Sequence, residues 1–567
     1  MVKRTLRLLV AMLVVNGLLL SAQWWFPPVG TLPTWVALEA AFVAGAFLLL
    51  PQRRWALVCA GLVSMAIVIV GVLSFADAAT RIILARPLNL YLDARLASSV
   101  ADLLVGTLGS PLALLVELLA LLAFAGAVFG LAYLLRPAAT GEGEWDRAGS
   151  RSGLRRWGER AAGLALMAPL VLWLASPPTL APPVGQLSAR AGAPGVGLIG
   201  TQVERLRSTL AEKESFEAEL AVRPVGNTEN PGLLARLGGR DVILAFIESY
   251  GVSVLDDPQY STVVEPRLED FGRRMEAAGL SLVSGTLVAP TQGGQSWFSH
   301  GSLLSGLWLD NQLRYDLMLG SDRETLIDDF RRAGYRTVAL MPAITFAWPE
   351  GEQFGYDEIF ARPDIKYLGP PLNWVTMPDQ FTWSFLEKNI RGGSGGSSPA
   401  ALDRPVFLEV GLISSHAPWT PILPVLDDWS RIGDGEVFER WAGAGERPED
   451  LWLDTERVRE QFALSVDYAI AAMASYAENF VDGEVLLIAL GDHQPAPLIT
   501  GEGVSWEVPV HIVSGDPDLV KPFLDWGFQI GGIPARDHSD RGMDQFRGWF
   551  LRAYSDLADS GSEADDG

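Results

Sequence analysis

Cysteine is nearly missing: the 567 residues contain one, Cys59, inside an apolar run. No intrachain disulfide can form and no thiolate metal site can be built, so any metal must be held by oxygen and imidazole. Histidine is almost as scarce, with five residues, so few imidazoles compete for a chemical role. Basic side chains are in deficit, 44 Lys and Arg against 67 Asp and Glu, for a formal net charge of −23. Such a surface repels nucleic-acid phosphates and anionic head groups, and no basic groove offsets it, which argues against a nucleic-acid partner. No internal repeat is present.

What is abundant is apolar sequence, and it is unevenly placed. The first 176 residues hold 14 Lys and Arg against 9 Asp and Glu, and the remainder 30 against 58, so the acidity belongs to the second part. Five stretches can cross a hydrocarbon core, which needs about 20 helical residues: Leu6 to Trp25, Trp35 to Leu50, Trp55 to Phe75, Pro111 to Leu135 and Ala161 to Ala175, the second and fifth being short. Basic residues fall on alternate sides: Lys3, Arg4 and Arg7, then Arg53 and Arg54, then Arg136, Arg147, Arg151, Arg155, Arg156 and Arg160. The positive-inside rule makes those sides cytoplasmic and puts everything after the fifth span outside. A cleaved signal peptide is disfavoured by the four further spans and by the lack of a small-residue cleavage site. Ala76 to Gly109 suits short interfacial helices or a plain connecting loop.

Beyond the spans, a Pro-rich exit and a charged helix, Thr201 to Ala221, form a stalk of limited stiffness. The expected partition is a five-span membrane domain over 1–176, a stalk over 177–237, an α/β domain over 238–554 and a disordered acidic tail over 555–567. Gly392 to Pro399 reads as a flexible loop. Continuous apolar runs at Asp241–Ile247, Thr337–Met341, Val406–Ile413, Val485–Leu490 and Val508–Val513 read as buried parallel strands. Helical patterns such as Arg323–Ala333 and Thr455–Phe480 alternate with them, favouring a mostly parallel sheet whose site forms beyond the strands' carboxyl ends.

Three runs end in chemically loaded residues. Gly491-Asp492-His493-Gln494 follows one, and an adjacent carboxylate and imidazole can turn towards one cation. Glu248 closes another, where an unpaired carboxylate is costly unless a cation or hydrogen bonds compensate. His416 lies just past a third, in Ser414-Ser415-His416-Ala417-Pro418, placed to donate to a phosphoryl oxygen or protonate a leaving alkoxide, or to serve as a structural histidine. Thr291-Gln292-Gly293-Gly294-Gln295-Ser296 opens a helix expected to run through Leu307. Its glycines let backbone approach an anion, and a hydroxyl at that terminus is a candidate nucleophile or a simple cap. Ser296 is favoured, with Thr291 and Ser299 as rival hydroxyls. His300, beside an apolar helix face, reads as packed rather than catalytic, and neither His511 nor His538 is assigned a role.

The five spans, the stalk, the strand ending in Glu-Ser, the Gly-Gly-x-Ser turn, the Ser-His turn after a strand and the late Gly-Asp-His together resemble one family over nearly the whole chain. It is the lipoteichoic acid synthase and phosphoglycerol transferase branch of the alkaline phosphatase/sulfatase superfamily. The resemblance implies one divalent metal ion, commonly Mn²⁺ with Zn²⁺ or Mg²⁺ as options, on Glu248, Ser296, Asp492 and His493, with Ser296 taking up a phosphoryl group covalently and His416 contacting substrate. Phe346-Ala347-Trp348 resembles a segment whose Trp lines the head-group pocket, making Trp348 either a substrate contact or a packing residue.

Three departures are visible: Ser stands where the branch usually has Thr, Glu350 stands where an Arg would grip glycerophosphate, and the Cys/Ser-x-Pro-x-Arg sequence of typical sulfatases is absent. The expected activity is a membrane-anchored, metal-dependent phosphoryl-group transferase or phosphodiesterase, of phosphoglycerol or phosphoethanolamine type. Its donor would be a membrane lipid and its acceptor a glycan hydroxyl or water, and the protein would be multi-pass in the bacterial cytoplasmic membrane with an extracytoplasmic site. The alternatives are a sulfatase or phosphomonoesterase on a soluble ester, and a non-catalytic relative binding a glycan or partner.

Overall fold

The computed structural model describes the chain except for residues 1, 27–33, 51–54, 95–99, 102–103, 106–107, 137–150, 176–189, 222–231, 393–403, 536–540 and 557–567. Most of the Pro-rich exit, the loop beyond Gly392, His538 and nearly all of the acidic tail therefore lie outside the described residues. Two compact units emerge, Met1–Ile82 with Arg86–Ala211, and Ile83–Ala85 with Glu212–Gly567.

The first unit is helical: α1 (Val2–Trp25), α2 (Leu38–Leu49), α3 (Trp55–Leu84), α4 (Ser110–Leu135), α5 (Arg151–Ala175) and α6 (Pro194–Leu220, its last residues counted with the second unit). Among the described residues four segments are long and apolar enough to cross a membrane, Arg4–Trp25, Trp55–Leu84, Ser110–Leu135 and Trp157–Ala175. The second expected span is a helix of 12 residues, about 18 Å long against a hydrocarbon core of about 30 Å. Its C-terminal carbonyls, Phe47 O and Leu48 O, accept from Arg4 at 3.0 and 3.1 Å, a cation where the helix dipole is negative. Gly45 lets α2 lie close to α5, since a Cβ there would meet the Gly163 carbonyl at 2.6 Å. Ala76 to Leu84 continues α3 instead of forming separate interfacial helices; a short turn, Leu90–Asp93, follows, held by Arg86 on Asp93 at 2.7 Å. The charged helix begins at Pro194, seven residues before its expected start.

Among the described residues the second unit is built on eight strands: β1 (Asp241–Ile247), β2 (Ser281–Val288), β3 (Arg336–Met341), β4 (Glu358–Ala361), β5 (Val406–Leu412), β6 (Val485–Gly491), β7 (Glu507–Ser514) and β8 (Gln529–Ile530). Their order is β8-β2-β7-β6-β1-β5-β3-β4. The β6-β1-β5-β3-β4 portion is parallel, as expected. The run Val508–Val513, expected parallel, pairs antiparallel with both β6 and β2. Strand β2 escaped the sequence reading because Ser284 and Thr286 interrupt its apolar pattern; both are buried, bonded to His511 and Glu507 on β7.

Strand β1 shows why its run is apolar throughout. Ile243, Ala245 and Ile247 pack towards α7 (Pro258–Ala277), whereas Val242, Leu244 and Phe246 join a second core with α8 (Ser296–Ser305). Helix α9 (Thr455–Phe480) covers the first face over the expected residues, and α10 (Phe546–Tyr554) covers the second. Both faces are dry, so alternation has no place. Strands β6, β1 and β5 are neighbours at the centre, and their carboxyl ends deliver Asp492-His493, Glu248 and the Ser414–His416 turn side by side.

Candidate metal centre

Glu248, Asp492 and His493 each offer a ligand atom, and those atoms lie within 4.8 Å of one another. His493 Nε2 is 3.5 Å from Asp492 Oδ2 and 3.6 Å from Glu248 Oε1. Its Nδ1 lies 2.8 Å from Gln494 O. A carbonyl can only accept, so the hydrogen sits on Nδ1 and Nε2 keeps the lone pair that a ligand requires. Asp492 is fixed in the same way: its Oδ1 accepts from Ser249 N and His493 N, both at 2.7 Å, leaving Oδ2 turned to the cluster. Ser249 Oγ donates to Glu248 Oε1 at 2.9 Å. These bonds demand a left-handed backbone at Ser249, φ 54°, a strained choice for a residue with a Cβ.

Electrostatics supports a cation here. Burial, and then Glu248, pushes the Asp492 carboxyl up to about 6. Burial opposes charge on His493, but Asp492 and Glu248 outweigh it and raise its pKa. Two carboxylates and an imidazole with side-chain exposures of 14%, 3% and 0% form a hard-oxygen and imidazole donor set for a divalent ion.

Ser296 is the fourth member, its Oγ 3.2 Å from His493 Nε2. It opens α8 because Gln295 before it adopts φ 64° and Gly293 and Gly294 adopt φ 77° and 141°. Gly293 N also donates to Gln494 O at 2.8 Å, tying the turn before Ser296 to the Asp-His turn. The rival hydroxyls fall away: Thr291 Oγ1 donates to Gly294 O at 2.9 Å, and Ser299 is completely buried. The helix ends at Ser305, on a left-handed Gly306, not at Leu307.

His416 arrives at the neighbouring edge, where the charges of Asp492 and His493 act on it. Burial pushes it down to about 4, so it is neutral near pH 7. Its Nδ1 is 2.6 Å from Ala417 O, which leaves Nε2 as an acceptor. That turns around the expected role, since a neutral ring with this tautomer takes a hydrogen bond from a hydroxyl. Two supports were missed in the sequence. Trp374 stacks on His416, centroids 3.6 Å apart at 16°. Asp379, completely buried, accepts from Ile413 N at 2.8 Å and Ser414 N at 2.9 Å through Oδ1, and burial pushes its carboxyl up to about 6. An Asp at a helix start gives no sequence sign of such a task. Ser415 Oγ completes the turn by donating to Glu248 O at 2.5 Å.

Trp348 packs against Tyr356, ring centroids 6.4 Å apart, and lies outside the four-residue cluster. Near it, Glu350 helps burial raise the pKa of Tyr315, so a negative charge stands where the resemblance led one to expect a positive one.

No protein-family model and no curated protein matches the chain. Solved structures do resemble it. The phosphoglycerol transferase GacH of Streptococcus pyogenes, in complex with sn-glycerol-1-phosphate, is 11% identical with a TM-score of 0.35, over 63% of this chain and 87% of that one. The C-terminal periplasmic domain of EptC from Escherichia coli is 13% identical at 0.34, over 59% and 86%. The lipoteichoic acid synthase LtaP from Listeria monocytogenes is 10% identical at 0.33, over 53% and 71%. Likenesses this remote decide nothing about chemistry, which has to be argued from the side chains.

Proposed function

We propose that the protein is a membrane-anchored, metal-dependent phosphoryl-group transferase or phosphodiesterase acting on lipid head groups through Ser296. The observation that carries the reading is the placement of Ser296 Oγ against the Glu248, Asp492 and His493 donors at the carboxyl ends of adjacent strands. Those four residues would hold one divalent ion, with Mn²⁺ the leading candidate; when bound, it supplies a lowered hydroxyl pKa and charge balance on phosphoryl oxygens.

The chain's own residues do the rest. Ser296 Oγ bonds to phosphorus as the bond from phosphorus to the lipid alkoxide breaks, the hydroxyl proton passing to solvent water and the departing alkoxide taking one from solvent water. The free N–H groups at the start of α8 face the anion. A glycan hydroxyl or water then displaces Ser296, and neutral His416 receives a hydrogen bond from that incoming hydroxyl through Nε2. Asp379 and Trp374 hold the imidazole in place for this. The four apolar helices and the basic residues flanking the expected spans support a multi-pass anchor in a bacterial cytoplasmic membrane, the site outside, near its lipid donor. The residue ranges 1–176, 177–237, 238–554 and 555–567 remain our division of labour for anchor, stalk, catalytic domain and tail.

Incubating the purified full-length chain in detergent with Mn²⁺ and either phosphatidylglycerol or phosphatidylethanolamine should leave a head-group phosphate on Ser296, detectable by peptide mass spectrometry. Faster turnover of an aryl sulfate than of bis(p-nitrophenyl) phosphate would overturn the reading in favour of a sulfatase.

A further inference from the structure

A carboxylate in the middle of a buried strand is expensive unless both of its oxygens are satisfied. Glu409, on β5 with 1% of its side chain exposed, is such a residue. Its Oε1 lies 2.6 Å from His300 Nδ1, and its Oε2 accepts from the Tyr356 hydroxyl. Tyr356 packs in turn on Trp348. A continuous line of contacts therefore runs from the aromatic wall at Trp348 to the helix that begins with Ser296.

His300 stands four residues after Ser296 on α8, so the two side chains share a helix face with Cβ atoms about 5–6 Å apart. Helical side chains lean towards the N-terminus, which brings the His300 ring up beneath Ser296. The ring stacks on Phe246, centroids 3.8 Å apart at 21°, two residues before Glu248 on the same side of the strand. The ring is packed, as the sequence suggested, and 17% of the side chain is still exposed. The carboxylate can only accept, so Nδ1 carries a hydrogen, and with the Glu409 carboxylate as its counter-charge the ring can carry a second hydrogen on Nε2 and donate from it to an ester oxygen.

Taking the ester chemistry proposed for Ser296 as its basis, we infer that His300 is a further substrate-contact residue, presenting Nε2 to the phosphate ester beside Ser296. Glu409 and Tyr356 act through it as positioning residues.

The test is a set of substitutions in the full-length Mn²⁺-loaded protein, assayed on bis(p-nitrophenyl) phosphate with inorganic phosphate as competitive inhibitor. Gln places its amide nitrogen near the position of Nε2, whereas Asn reproduces Nδ1 and keeps only the bond to Glu409. His300→Ala and His300→Asn should each lower kcat/KM by about 30- to 100-fold and weaken phosphate inhibition, with bound Mn²⁺ unchanged; Ala, which strips Glu409 of a partner, also lowers Tm, whereas Asn keeps that bond and the wild-type Tm. His300→Gln should recover a large part of the loss. Asn retaining activity where Gln does not, or unchanged kcat/KM in all three, would overturn the inference and assign His300 to packing. If the His300 variants fail to fold, Tyr356→Phe decides: a three- to tenfold loss supports the contact, and wild-type kcat/KM refutes it. Should the unaltered protein show no Ser296-dependent turnover, the ester reading itself fails and this inference with it; wild-type turnover with indifferent His300 variants sinks the inference alone.

Discussion

Two histidines, both completely buried and carried by neighbouring strands, meet opposite fates. His511, inside β7, spends both nitrogens: Nε2 receives the Tyr250 hydroxyl at 2.9 Å, and Nδ1 donates to Ser284 Oγ at 2.8 Å while that hydroxyl donates to Gly531 O. Burial pushes it down to about 3, so it stays a neutral strut between strands. His493, just beyond β6, spends only Nδ1 and turns Nε2 to two carboxylates and a serine hydroxyl, and its pKa rises. What separates a structural imidazole from a chemical one is the unspent nitrogen, and burial alone does not tell them apart.

Substitutions can break or sharpen this contrast. The largest expected effect is at the hydroxyl facing His493: Ser296→Ala should lower turnover of bis(p-nitrophenyl) phosphate by at least about 10³-fold, with the fold intact, measured by steady-state kinetics. Next, His493→Ala should remove the bound divalent ion, read by elemental analysis of the purified protein, and take activity with it; retained stoichiometric metal would contradict the ligand set. Smaller is Asp379→Ala, which strips two backbone N–H groups of their acceptor and loosens the turn carrying His416. It should cost about 2–3 kcal/mol of stability and about tenfold in kcat/KM, followed by thermal unfolding and kinetics.

His511→Gln should leave activity at pH 7 nearly unchanged and alter only acid stability. The folded pKa of His511, about 3, lies below the ordinary 6.5, so the unfolded chain binds the extra proton between these values. The native state is therefore favoured above pH 6.5 and loses stability as pH falls towards 3, by about 2 kcal/mol at pH 5. The variant's Tm should fall less steeply over that range than the wild type's. An equal slope would assign the acid sensitivity to other groups.

Much of this site was legible in the sequence because its residues sit where apolar runs stop. Glu248, Asp492 and His416 each follow a strand whose both faces are buried, and such strands read as unbroken hydrophobic segments. The antiparallel side was opaque for the converse reason. Ser284 and Thr286 break the pattern of β2, their hydroxyls being satisfied by partners more than two hundred residues away. Asp379, Trp374 and Glu409 were invisible for the same cause, since each acts through a residue distant in sequence. His300 is packed as its apolar neighbourhood predicts, stacked on Phe246, and its bond to the buried Glu409 was not legible in the sequence. The membrane count rested on length, and a 12-residue helix at Leu38–Leu49 is where that criterion weakens.

The parallel pairing at the heart of the sheet sets Asp241 of β1 beside Val485 of β6 and Val242 beside Phe407 of β5. Glu248 follows β1 and Asp492 follows β6, so the two carboxylates come from segments far apart in the chain. A nascent or partly threaded polypeptide is thus chemically mute: it owns every reactive group but no coordinate system in which they meet. Only when β6 pairs with β1 do Glu248, Asp492 and His493 gather, so the cluster is a product of long-range pairing and is absent from an unfinished molecule.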